Sequence, residues 1–122
     1  MDTILWICQI FLAALFFYSG VMKSTQSEQK LVAIGQTGVE NLPLGLIRFI
    51  GISEILGAAG LIIPWISKVG VLLTPLAAFC LGMIMVMAAV VHFRRNEKKA
   101  VLLNLFILLL CLFVGIERLT GF

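Results

Sequence analysis

Few residues of this chain could do chemistry, and Glu54 is the most informative of them. It lies near the centre of the apolar run Leu44–Ile63, where an acid costs roughly 2.5–3.5 kcal/mol to insert into lipid. Its neighbours on one helical face are Gly51, Gly57 and Ala58, and small residues let helices approach closely. Glu54 is therefore expected to point into protein, where desolvation favours a neutral, proton-donating carboxyl. Its functional reading is a ligand or proton site. Its structural reading is a protonated acid bonded to a neighbouring helix.

Four further polar residues could join it. His92, Asn104, Tyr18 and Arg48 each lie one turn or less from the end of an apolar run. At 1.5 Å per helical residue, all four fall within about 8 Å of one membrane face, with Glu54 roughly 15 Å in. Three of them also have a plain role available: His92 as an edge histidine, Asn104 as an interhelical hydrogen bonder, Arg48 as a snorkelling arginine. As a set they predict a polar pocket in one half of a bundle, with Gln9 and Thr74 almost alone in the other half. Met83 and Met87, one turn apart, read as core packing.

The elements that position these residues follow from hydropathy. The chain has 122 residues, 61% hydrophobic and 12% charged, with a mean hydropathy of +1.14. A soluble domain of this size leaves roughly a third of its surface in water, and this composition could not supply a polar coat. That excludes a soluble enzyme, a disordered chain and a disulfide scaffold. A bilayer core of about 30 Å needs about 20 helical residues. Residues 4–22, 44–63, 69–93 and 100–119 meet that requirement. The connections are 21, 5 and 6 residues long, so the last three helices must be antiparallel neighbours. The predicted fold is an all-α membrane protein, an antiparallel four-helix transmembrane bundle in a single domain over residues 1–122.

Local signals refine this picture. Only Asp2 precedes the first run as a charged side chain, unlike the basic start of a signal peptide, so that run reads as a retained helix. Trp6 and Trp65 are expected at one membrane face. Pro43 suits the first turn of the second helix, Pro64 is expected to end it, and Pro75 to kink the third. In the first loop, Thr25 and Glu28 fit a capping box and Gly35 a helix stop, predicting a short interfacial helix. Cys8, Cys80 and Cys111 form no CxxC; they read as small core hydrophobes, with no metal site.

Sidedness rests on charge. Lys23, Lys30, Arg48, Arg94, Arg95, Lys98 and Lys99 share one face, against Lys68 and Arg118 on the other. The positive-inside rule then places the first and third loops in the cytoplasm and both termini outside, as expected for a multi-pass protein of the cell (inner or plasma) membrane. The basic excess is a topology signal, not a nucleic-acid site.

Gly20-Val21-Met22-Lys23 after the first span, and Gly51-Ile52-Ser53-Glu54-Ile55-Leu56-Gly57-Ala58-Ala59-Gly60-Leu61 in the second, resemble the DoxX-like family of small four-span membrane proteins. His92 and Asn104 complete the pattern, which covers nearly the whole chain. The resemblance implies a quinone-linked role, since some members accompany redox systems such as thiosulfate:quinone oxidoreductase. With Lys23 from the matching segment, the candidate ligand-binding residues are Glu54, His92, Asn104, Tyr18, Arg48 and Lys23.

The expected function is binding of a lipophilic small molecule, a quinone for example, within a redox-linked membrane system. No flavin, haem or iron–sulfur motif is present, so redox chemistry would need a protein partner, and no catalytic residue is assigned. Three alternatives stay open: a non-catalytic assembly factor, a proton-coupled exporter, and an acid–base pocket using Glu54 and His92. Membrane lipid is an expected partner, and homo-oligomerisation is left open.

Overall fold

In the computed structural model, which describes residues 2–120, five helices follow one another. They are α1 (Asp2–Thr25), α2 (Glu28–Ala33), α3 (Leu44–Ser67), α4 (Leu73–Arg94) and α5 (Lys98–Thr120), with a 3-10 turn at Thr37–Val39 after α2. All except α2 are long and apolar enough to cross a membrane. Helices are what such runs must form there, because lipid offers the backbone no hydrogen bonds. Only a narrow stripe of each is buried. On α1 it runs Leu5, Gln9, Leu12, Phe16, Gly20, Lys23, and on α5 Asn104, Ile107, Cys111, Val114, Gly115, Arg118. Steps of three and four residues keep one stripe facing its neighbours. The rest of each helix faces outward, Met83 and Met87 included, so these two methionines line lipid and not the core.

Chain neighbours pack together: α1 against α3, α3 against α4, α4 against α5, with a lighter return contact from α5 to α1. Glycines set the closest approaches. A methyl group built on Gly20 would stand 2.6 Å from the Gly51 carbonyl oxygen, and one on Gly51 would stand 2.8 Å from Lys23 Cβ. Nothing larger than glycine fits at this crossing without separating α1 from α3. Gly57 against Leu81, and Gly115 against Phe79, seat the other two seams.

Three boundaries differ from expectation. Pro64 does not end α3, which continues to Ser67. The cost falls on the Gly60 carbonyl, which loses its usual i+4 donor at a proline. Thr74 Oγ1 supplies one from α4, donating at 2.9 Å. Pro75 does not kink a helix interior, because α4 starts at Leu73, not at 69, and puts this proline in the first turn. Its missing N–H is one that a first turn leaves unpaired in any case. The cap of α2 is Ser27, whose side chain accepts from the Lys30 amide; Thr25 is the last residue of α1 and donates to the Val21 carbonyl.

Gly35 stops α2 as expected, at φ 101°. The Gly35 and Gln36 amides donate to the carbonyls of Val32 and Leu31, the paired bonds of a Schellman motif. Leu31, Val39 and Ile47 then form a small second core, which seats the first loop over one end of the bundle. The short helix is thus a cover. Among the cysteines, which form no disulfide, Cys111 is buried and Cys8 partly so, but Cys80 is exposed.

Candidate functional site

Glu54 is 1% exposed, as its face predicted. It is not a solitary acid. Lys23 Nζ donates to Glu54 Oε1 at 2.8 Å, so the carboxyl is half of a buried pair and not the isolated acid expected. The Gly20–Gly51 crossing of the antiparallel α1 and α3 makes the pair possible: it sets Lys23 Cβ beside Gly51, one turn from Glu54. Lys23 belongs to the last turn of α1, and its long stem reaches inward from there. Isolated buried charges are prohibitive, whereas a hydrogen-bonded pair is tolerated.

Arg48 supports this geometry. Its Nη1 donates to the carbonyls of Lys23 and Gln26, at 2.8 and 2.6 Å. Those oxygens belong to the open end of α1, where a cation is favoured. Arg48 is therefore an inward-turned cap, not a free side chain.

Three buried polar atoms near this end have no hydrogen-bond partner among the described residues: Glu54 Oε2, Ser24 Oγ and Asn104 Nδ2. Glu54 Oε2 is an acceptor when ionised, and the other two are donors. Ser24 packs on Gly51, one turn from Glu54. Asn104 comes from α5. The seams Gly57–Leu81 and Gly115–Phe79 fix the helix registers; counted along them, Asn104 lies about 9 Å nearer the covered end than Glu54.

Two of the sequence candidates stand apart. Counted in the same way, His92 is about 12 Å from Glu54 along the bundle. Its Nδ1 is 2.8 Å from Glu97 Oε1, in a polar clasp at the covered end. There Arg95 bonds both Glu97 and Glu40, each at 3.1 Å, and ties the first loop to the α4–α5 turn. The hydrogen bond from His92, then those from Thr37 and Arg95, hold the Glu97 carboxyl below its ordinary value. The Glu40 hydrogen bond raises the Arg95 guanidinium further above its own. Tyr18 is 58% exposed on the outer face of α1 and points toward lipid.

The far half of the bundle is richer than its sequence suggested. Arg118 is 4% exposed. Its Nε donates to Gln9 Oε1 at 2.6 Å and its Nη1 to Asp2 Oδ1 at 2.7 Å. The guanidinium lies 4.5 Å from the Trp65 ring centre and 5.6 Å from that of Trp6, which brings the two tryptophans to one face as expected. Gln9 Nε2 donates in turn to the Leu61 carbonyl at 2.6 Å. Reading Arg118 as a topology charge missed this, although it continues the inward stripe Cys111, Val114, Gly115. Between the two polar layers lies an apolar plug that includes Leu12, Phe16, Ala58, Leu61, Leu81 and Ile107.

No match was found among curated proteins or among solved structures. The model of the DoxX-like family matches residues 7–114, which takes in α3 and α4 whole, most of α1 and α5, and both halves of the Lys23–Glu54 pair. The chain belongs to the DoxX-like family.

Proposed function

We propose that this protein binds the polar head of a lipophilic small molecule beneath its cover, with Lys23 and Glu54 as the anchor. The observation that carries this reading is a buried ion pair whose second carboxylate oxygen, Glu54 Oε2, has no partner among the described residues. A bundle under selection for stability alone gains little from such a pair, since apolar replacement is often neutral or better. Intramembrane ionisable residues mark ligand or ion sites by default.

A quinone fits the donor set. Its carbonyl oxygens accept hydrogen bonds, for which Ser24 Oγ and Asn104 Nδ2 are unpaired donors; a quinol hydroxyl would donate to Glu54 Oε2. The chain's residues would hold and orient the headgroup, while electrons would pass to and from a redox partner in the membrane. The charge asymmetry supports a covered end that faces the cytoplasm from the cell membrane. Solvent extraction and mass spectrometry of protein purified from native membrane test the reading. A quinone-class lipophile enriched over bulk lipid, and lost in the Glu54→Gln variant, is the expected result; equal recovery from both proteins would refute it.

A further inference from the structure

We propose that the hairpin joining α4 to α5 carries a cleft for one anionic phospholipid. An open cleft of about 330 Å³ lies at this turn, lined by Phe93, Asn96, Glu97, Lys98, Val101 and Leu102. Its walls are apolar and its rim is charged. Phe93 and Leu102 are among the most exposed apolar side chains of the protein, and the wall continues along α5 through exposed Leu105 and Phe106 into the lipid-facing flank.

The charges at the rim are not balanced. Glu97 Oε1 is engaged by His92 and Arg95, and Arg95 in turn by Glu40. Arg94, Lys98 and Lys99 are exposed, and none has an ion-pair partner among the described residues. Lys98 lines the cleft, and Arg94 and Lys99 adjoin its lining residues Phe93 and Lys98 in the chain, so three uncommitted cations cluster at a cleft whose walls lead into hydrocarbon. A phosphodiester with a net negative charge matches the rim, and an acyl chain matches the wall formed by Phe93, Val101 and Leu102. An acidic soluble protein would satisfy the cations but leave that wall unused, and a zwitterionic lipid would bring its own cation to a cationic rim. Attraction to anionic headgroups amounts to about fivefold per lysine or arginine near the surface, and it weakens with salt.

The test is selective lipid retention. Protein in nanodiscs of phosphatidylglycerol and phosphatidylcholine would be extracted in mild detergent, and its retained lipids counted by native mass spectrometry. The wild type should retain phosphatidylglycerol in about fivefold or greater excess. R94Q/K98Q/K99Q should lose that preference. V101W should lose it too, because it fills the cleft while leaving all three cations. K30Q, which removes an exposed cation from α2 at the same end, should keep it. Circular dichroism would check that each variant is folded; all of the altered side chains are at least partly exposed. No preference in the wild type, survival of the preference in V101W, or an equal loss in K30Q would overturn the cleft.

Discussion

Lys23 and Glu54 meet at the glycine crossing of α1 and α3, 2.8 Å apart between Nζ and Oε1, with Lys23 Cβ beside Gly51 and Glu54 one turn farther along α3. The crossing and the pair are one feature. Backbones that close on glycine set Lys23 Cβ beside Gly51, and the lysine stem spans the one remaining turn to Glu54.

The pair's energetics give the first prediction. Removing one partner strands the other as a buried charge, at about 3–5 kcal/mol, whereas replacing both with apolar residues of similar size is close to neutral. K23M and E54L should each lower unfolding stability in detergent by that amount. K23M/E54L should return near the wild type, with a large coupling energy in the double-mutant cycle. Additive losses would mean that the two side chains do not share one interaction.

A second prediction concerns Pro64. The proline leaves the Gly60 carbonyl without a helical donor, and Thr74 Oγ1 fills the gap. T74V should therefore cost about 1 kcal/mol, the loss expected when a part-buried acceptor is left without its hydrogen bond. In a P64A background the restored amide at position 64 can donate to the same oxygen, so T74V should cost much less. Equal costs in the two backgrounds would show that the Thr74 bond does not compensate for the proline.

A third prediction concerns the clasp at the covered end. Glu97 has its carboxyl held below the ordinary value of 4.5, first by His92 and then by Thr37 and Arg95. A depressed folded-state value stabilises the clasp above the unfolded value and loses that contribution as pH falls through the folded value. Hydrogen exchange of the segment 36–40, corrected for intrinsic rate, should accelerate on acidification below 4.5. E97Q should exchange faster at neutral pH and flatten the profile. An unchanged profile in E97Q would remove Glu97 from the clasp.

Much of this architecture was legible in the sequence, because span length and hydropathy are demanding signals. The inward face of Glu54 followed from Gly51, Gly57 and Ala58. What stayed hidden were partnerships of residues near span ends. Lys23 and Arg118 each admit two readings, since a long basic side chain can snorkel outward or reach inward. Register separates them. Lys23 continues the stripe Leu12, Phe16, Gly20, and Arg118 continues Cys111, Val114, Gly115. His92 was drawn toward Glu54 by depth arithmetic that treated the α4–α5 loop as a bare connection, when that loop supplies Glu97 as its nearer partner.

The Pro64 and Thr25 readings failed for a different reason. Local rules describe a chain segment alone, and a donor from another helix or a better cap two residues on overrides them. Thr74 lies ten residues after Pro64, across a turn, and only packing of α3 on α4 brings it to Gly60.

The central claim is that the Lys23–Glu54 pair serves a ligand rather than the fold. Titration of a short-chain ubiquinone into wild-type protein and into K23M/E54L, in the same detergent and at matched stability, tests it most directly. The account predicts saturable binding to the wild type and none to the folded double variant. Binding of equal affinity to both would contradict it.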